Sequence, residues 1–412
     1  MRSISLAVIL LSTAPFCATG SAGDPLPERD NREYSGRSLA QWHKLMMDID
    51  PRSSSAVVVV EPLIEIVADE SLSAVNRGMF ADYLARVGEP AQNVVPILAS
   101  LIDNRHADSD MNYRWAARAL ALMGESGEAA TPSLIGLLND DSLPVKDRQS
   151  AVEALALIGG AHAEAIPALS KLLQYRESEH VSQRDASTLR QLAADAFFIV
   201  GPGGEVAAPL LIRMVRDRSE GEFSRLSAIK ALGAMKSRGA IAIAAVSESL
   251  TAEQSPVLRD AAADALVQFG SAASRSLLHF LQDPDPEIRW RIAYSLREIT
   301  GSHATIRTSL SKLLDDNVPI VRISAAESIH ELFGSSDRVV DTAISLLKGR
   351  DREIRVRAKE LTIASKPLKE EHLMRIRELL RHKDRHVARV ASSTLDRLSQ
   401  GVSEANGEPA SR

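Results

Sequence analysis

The stretch IVRISAAESIHELFG, residues 320–334, sets His330 beside Glu331, two side chains that can ligate a metal ion. A metal centre needs several donors to converge, and neighbours on a helix point about 100° apart. On a helix through Arg322, the residues Ala325, Ala326, Ile329 and Leu332 make the apolar stripe. His330 flanks that stripe, and Glu331 turns away toward solvent. In ELLRHKDRHVAR, 378–389, His382 and His386 follow Glu378 four residues apart, the spacing of a zinc half-site on one continuous helix. The repeat set out below puts HKDR in a turn, so the two histidines fall on different helices. Glu177, Glu179, His180 and Asp185 lie in a long polar connection, 175–188, without regular spacing. Asp108 and Asp110 lack the Gly and the closing Glu of a calcium loop. There is no Gly-x-Ser-x-Gly elbow and no phosphate-cradling Gly-rich loop, and the only cysteine is Cys17. No catalytic, metal or cofactor site is expected.

The elements that would position these residues repeat. EIRWRIAYSLREITG, 287–301, is a near-copy of the opening stretch, brought into register when Arg289 is set on Arg322. Arg followed by a small or apolar residue at +4 and an apolar one at +7 recurs at Arg77, Arg148, Arg190, Arg225 and Arg259. It recurs more loosely at Arg114, Arg355 and Arg389, and the steps along the whole series stay close to the one from Arg289 to Arg322. A period of a few tens of residues means a stacked array. The longest step, from Arg148 to Arg190, is the one that holds the polar connection 175–188. Gly88, Gly124, Gly159 and Gly201 are each followed eight residues later by Pro96, Pro132, Pro167 and Pro209. Gly ends one helix and Pro sits in the first turn of the next. Between repeats, Asp285–Pro286 and Ser255–Pro256 read as N-cap and first helical position. Each unit is a pair of antiparallel helices that cannot bury its apolar face alone.

IPALSKLL and PIVRISAAESIHELFG resemble HEAT repeats, including the short bacterial variety, over residues 39–398. The resemblance implies an all-α, right-handed α-α superhelix of about 10–11 helical-hairpin repeats, a HEAT-repeat solenoid. YSGRSLAQWHKLMMD, 34–48, is similar to the N-terminal cap of secreted bacterial members, with Leu39, Trp42, Leu45 and Met46 at helical spacing. In such arrays the repeated Arg pairs with a turn Asp of a neighbouring repeat, here Asp141, Asp283, Asp285 or Asp315, and fixes registration. Deoxyhypusine hydroxylase, an enzyme of this fold, gathers His-Glu pairs from several repeats around iron. This chain has one such pair, with Arg297–Glu298, Val267–Gln268 and Ala156–Leu157 at the equivalent positions.

Composition fits the same architecture. Apolar residues make up 45% and aromatics only 4%, a core of Ala, Leu, Ile and Val suited to close helix packing. The first 23 residues have Arg2, an apolar run from Ile4 to Leu11 and small residues from Ala18 to Gly23, the layout of a cleaved secretory signal peptide. No other stretch reads as membrane-spanning, and a secreted or periplasmic location is expected. The organisation is then signal peptide 1–23, linker 24–33, N-terminal capping repeat 34–70, repeat array 71–398 and disordered tail 399–412.

The formal net charge is −5, yet residues 348–398 hold 15 Lys and Arg against 8 Asp and Glu. That end reads either as a solvated face with some Arg used in the ladder or as a docking patch for an acidic protein or polyanion. Nucleic acid is not expected, because the signal peptide sends the chain elsewhere and the basic run offers no aromatics for stacking. The candidate partner-binding residues are Arg375, Arg377, Arg381, Lys383, Arg385 and Arg389 at this end. Arg291, Glu298 and Glu331, with Glu287, Ser295 and Ser324, are expected to project from the face of the Arg-bearing helices, concave in a solenoid. The function read from this is a non-catalytic protein-interaction scaffold of the cell envelope or extracellular space. The alternative implied by the resemblance is a bilin-lyase-like HEAT enzyme or chaperone for a small ligand.

Overall fold

The computed structural model describes residues 32–106, 112–158, 164–178, 181–251, 254–298 and 303–405. The signal-peptide region, residues 24–31 of the linker, Asp108, Asp110, Gly159, His180, Gly301 and residues 406–412 lie outside them. The fold is all-α apart from one two-stranded ribbon among the described residues, and the chain forms two compact units divided between Met235 and Lys236.

The first unit opens with that ribbon, β1 (Glu33–Tyr34) and β2 (Arg37–Ser38), turned at Ser35 and Gly36. Ser38 then caps α1 (Leu39–Asp48) in a reciprocal capping box with Gln41. Leu39 and Trp42 are buried, and the Trp42 indole donates 2.7 Å to the Tyr34 carbonyl. The Tyr34 hydroxyl in turn donates 2.6 Å to Asp69. Arg32 and Glu33, read as linker, already belong to this structure, since Asp69 also pairs with Arg32 at 3.5 Å.

Five hairpins follow: α2 (Val57–Ala68) with α3 (Ala74–Val87), α4 (Val95–Asp103) with α5 (Asn112–Met123), α6 (Thr131–Leu138) with α7 (Val145–Ile158), α8 (Ala165–Leu172) with α9 (Gln183–Val200), and α10 (Ala208–Arg216) with α11 (Glu222–Ala234). Gly88 ends α3 at φ 79° and Gly201 ends α9 at φ 61°, a region that costs other residues a Cβ clash. The eight-residue Gly-to-Pro interval is mostly a 3-10 segment, Glu89–Val94 or Gly201–Ala207, before Pro96 and Pro209 open the next helices. The second helices pack in a row, α3 on α5, α5 on α7, α7 on α9 and α9 on α11, and first helices α4, α6 and α8 make a parallel row. Alanines let the second helices approach closely. In α5, Trp115, Ala116, Ala117, Ala119, Leu120 and Ala121 are all buried. Each large side chain so buried contributes about 1.5–3 kcal/mol.

One apolar run escaped the sequence reading. Gln183–Arg216 is long and apolar enough by composition to cross a membrane. It is two helices broken at Gly201, however, and Leu189, Ala193 and Phe197 are fully buried within the stack.

The second unit repeats the scheme: α12 (Ile243–Glu248) with α13 (Pro256–Gln268), α14 (Ser274–Phe280) with α15 (Pro286–Ser295), α16 (His303–Leu313) with α17 (Pro319–Phe333), α18 (Asp337–Leu346) with α19 (Arg352–Ala364), and α20 (Glu370–Glu378) with α21 (Arg385–Ala405). Ser255, Asp285 and Asp351 cap their second helices through side-chain oxygens, as the Ser-Pro and Asp-Pro pairs implied for the first two. The last helix runs to Ala405, past the expected array end at 398. No Pro interrupts the chain there before Pro409.

Candidate interaction site

The repeated Arg builds a scaffold before it can build a site. Its guanidinium reaches back to the turn of its own hairpin. Arg77 donates 2.8 Å to the Val67 carbonyl, Arg148 2.7 Å to Leu138, Arg225 3.0 Å to Val215 and Arg355 2.7 Å to Gly349. In several repeats it also reaches forward to a carboxylate of the next hairpin, Arg114 to Asp147 at 2.8 Å and Arg259 to Asp285 at 3.4 Å. Arg190 takes Glu220 with both fork nitrogens, at 2.6 and 3.0 Å, and Arg289 takes Asp316 the same way, at 2.8 and 3.0 Å. Of the acids expected in this role, Asp285 serves, and Asp141 contacts Arg148 within one hairpin at 3.0 Å. Asp283 offers its carbonyl to Arg289, and Asp315 turns to Arg338, leaving the rung to Asp316.

The face of the second helices in the second unit is more closed than the sequence implied. Ser324 is fully buried, and Ser295 is buried against Asp264, to which it donates 3.0 Å. Arg291, expected to project toward a partner, is 8% exposed and paired with Asp260 and with Glu287 at 3.3 Å. Burial first, and then the charge of Arg259, hold its guanidinium below the ordinary value. The physical reason for the difference is that α15 and α17, which carry these residues, are each flanked on both sides by a second helix. Glu287 and Glu331 are exposed, with Glu331 3.5 Å from Arg297. The side chain of Glu298 lies outside the described residues. Further rungs cross this face. Arg357 holds both oxygens of Glu327 at 2.7 and 2.9 Å and Ser324 at 3.0 Å. Burial pulls that guanidinium down, and the bonds to Glu327 more than offset it, so its pKa is raised.

Two aromatics stand out on this face. Tyr294 is 42% exposed and meets Trp290 edge-on at 6.4 Å between ring centres. The guanidinium of Arg291 lies 4.8 Å from the Trp290 ring and that of Arg297 lies 3.6 Å from the Tyr294 ring. Glu287 accepts the indole N–H at 3.1 Å. Sequence reading passed over this pair. Trp290 and Tyr294, four residues apart on a helix, were the available signal.

At the basic end the six predicted cations divide. Arg375 pairs with Asp341, and Arg377 pairs with Glu370 at 2.5 Å. Arg381, Lys383, Arg385 and Arg389 are exposed and have no ion-pair partner among the described residues.

The donor groups weighed for metal chemistry stay apart. His330 shares a hydrogen bond with Ser335 at 2.7 Å, while Glu331 points to Arg297. His382 sits in the turn before α21 and His386 inside that helix, His382 accepting from the Asp384 N–H at 3.1 Å. Among the described residues no three His, Cys, Asp or Glu side chains gather as a metal site. A shallow cleft beside α16 and α18 is lined by Arg307, Thr308, Ser311, Lys312, Asp315 and Arg338. Two of its cations are engaged, Arg338 with Asp315 at 2.6 Å and Arg307 over the Phe333 ring at 5.1 Å.

Comparison with known proteins agrees with this architecture. A sequence model described as HEAT repeats matches residues 243–330, and one described as a PBS lyase HEAT-like repeat matches residues 147–175. No curated protein sequence matches. Among solved structures, the karyopherin Kap121p bound to the extreme C-terminus of the protein phosphatase Cdc14p, and Kap121p bound to Pho4p, each align over 88% of this chain at 12% identity, with a TM-score of 0.54. The chain spans 44% of the length of those two. Human deoxyhypusine hydroxylase in complex with glycerol aligns over 68% of this chain and 99% of that one at 21% identity, with a TM-score of only 0.28. With two-helix repeats joined by an arginine ladder, matched by both sequence models and by the solved folds, the chain is a HEAT-repeat protein.

Proposed function

We propose that this HEAT-repeat protein is a non-catalytic protein-interaction scaffold, exported to the cell envelope or extracellular space. It docks partners on the second-helix face of its second unit and at its basic end. The observation that carries the reading is the Trp290–Tyr294 pair. Trp42 and Trp115 are buried in the stack, whereas Trp290 is half-buried and Tyr294 exposed, their rings held in place by Arg291 and Arg297. Aromatic and arginine side chains fixed in this way supply most of the energy of protein interfaces, because little side-chain entropy is lost on docking. The solved folds it is similar to include two bound to protein segments, which supports a protein partner as the class of ligand. The signal-peptide layout of the first 23 residues supports export.

The test is cross-linked capture with tagged full-length protein beside a Trp290→Ala/Tyr294→Ala variant. A specific protein lost from the variant, with thermal unfolding unchanged, is the expected result. The same set of proteins captured by both forms overturns this docking face. N-terminal sequencing of the exported protein, expected to begin after Gly20 or Gly23, checks the location.

A further inference from the structure

The last turns between paired helices change chemistry partway along the second unit. QDPDP (282–286) and DDNVP (315–319) are followed by KGRDR (348–352) and RHKDR (381–385), each one repeat step after the one before, the same step that separates Arg289 from Arg322. In the later two, cations take the first, third and fifth places: Lys348, Arg350 and Arg352, then Arg381, Lys383 and Arg385. All six are exposed, and none has an ion-pair partner among the described residues. The carboxylate within each turn is engaged with backbone. Asp351 accepts from the Ile354 N–H at 3.1 Å and Asp384 from the His386 N–H at 2.8 Å. Helix α18 packs on α20 and α19 on α21, so the two turns lie side by side, about 10 Å apart by ordinary helix spacing.

The arginine ladder opens at the same place. Arg289 is filled: Nη1 donates to its own turn and the fork of Nε and Nη2 holds Asp316. Arg322, one hairpin on, keeps the backward bonds, 2.7 Å to the Asp316 carbonyl and 3.4 Å to Asn317, and no partner among the described residues meets its fork. Where Asp316 served Arg289, the chain now has Gly349, one repeat step later. Arg355, 8% exposed, repeats the pattern: Nη1 donates to Gly349 and Arg350, and Nε is buried with no hydrogen-bond partner among the described residues. His382 stands in the carboxylate's place.

We infer that these two basic turns are a docking site for an acidic peptide segment of a partner protein, one of whose carboxylates completes the open fork of Arg322 above Gly349. This rests on the scaffold reading and names the partner's chemistry at the basic end. The fork geometry is the one that holds Asp316 two-handed at Arg289, so it selects a planar carboxylate. Lys348 and Arg350 on one turn, with Arg381 and Lys383 on the next, take further carboxylates. An extended chain advances about 3.3 Å per residue, so acidic residues three apart reach successive turns. A nucleic acid fits less well. Neither turn has an aromatic to stack a base, and Asp351 and Asp384 interrupt each cation triplet where a phosphate chain would run.

The experiment is fluorescence anisotropy of a labelled 12-residue peptide of Glu-Gly-Ser repeats, titrated with the full chain at low and physiological salt. Lys348→Glu/Arg350→Glu and Arg381→Glu/Lys383→Glu are each expected to weaken binding tenfold or more. Lys171→Glu/Arg184→Glu, two exposed cations elsewhere with the same change in net charge, should move it less than twofold. Circular dichroism and thermal unfolding exclude folding loss. No binding by the unmodified protein, equal losses from turn and control variants, or a 12-residue oligothymidylate that binds more tightly and loses affinity in the same variants would each overturn the inference. A partner still lost from the Trp290→Ala/Tyr294→Ala variant in that case leaves the scaffold reading standing and removes only this site.

Discussion

Arg289 and Arg322 hold the same place in consecutive hairpins of one unit, and the carboxylate of Asp316 ahead of Arg289 gives way to Gly349 ahead of Arg322. Both donate back to carbonyls of their own turn. Among the described residues, only Arg289 also grips a carboxylate ahead of it. The backward bond is what a repeat requires, because it satisfies turn carbonyls that face no helix partner. The forward bond is dispensable to the fold, so the residue supplying it is free to change. From Lys348 onward it has changed, and acids have given way to cations.

The comparison breaks most visibly where a forward rung is deeply buried. Arg190 and Glu220 are 3% and 8% exposed, and the guanidinium also caps the Tyr175 carbonyl at 2.7 Å. Arg190→Ala strands the Glu220 carboxylate inside the first unit. We expect a loss of about 3–5 kcal/mol in urea unfolding, the range for breaking one side of a buried pair. Arg190→Ala/Glu220→Gln should recover part of it. A loss under about 1 kcal/mol, the net value of an ordinary hydrogen bond, would show that the rung does not hold the stack.

A smaller effect separates the filled rung from the open one. Arg289→Ala removes a two-handed carboxylate grip together with two carbonyl bonds, and should cost about 2–3 kcal/mol. Arg322→Ala removes carbonyl bonds alone and should cost about 1 kcal/mol. Equal losses, measured by the same unfolding curves, would mean that Arg322 has a carboxylate partner after all.

The sequence made the ladder legible because its three markers each answer a fixed need. Arg caps the turn, Gly takes the positive φ that ends the helix, and Pro opens the next one. The same reasoning placed Leu39 and Trp42 in the cap. It failed for Arg291, Ser295 and Ser324, because helical period assigns a residue to a face and says nothing of a like helix packed on either side. It blurred the basic end for a related reason. Counting charge over 348–398 pools Arg355, Arg357, Arg375 and Arg397, all engaged in the fold, with cations that are not. Setting the turns on one another at the repeat step would have isolated Lys348, Arg350 and Arg352. All but Arg389 of the exposed cations without an ion pair among the described residues lie in a turn or on the first residue of the helix that follows it, and those four engaged ones lie within helices.

The finest probe of the comparison is to close the open rung from within, with Gly349→Asp. A side chain fits there once the turn gives by a few tenths of an ångström. A Cβ on Gly349 would lie 3.1 Å from the Leu346 carbonyl, and this closeness belongs to the turn itself. The Gly349 N–H donates to Leu346 at 3.0 Å just as the Asp316 N–H donates to Leu313 at 3.1 Å, and Asp316 carries its Cβ in that same bend. Nor does Gly349 occupy the positive-φ region that would exclude aspartate. The new carboxylate should meet the Arg322 fork as Asp316 meets Arg289, raising stability by about 1 kcal/mol. It should also weaken the Glu-Gly-Ser peptide several-fold while leaving all six exposed cations in place. Those two outcomes together tie the binding to the vacant fork. Peptide affinity unchanged in a stabilised variant would instead assign recognition to the exposed cations alone, with the fork left as an unused position of the ladder.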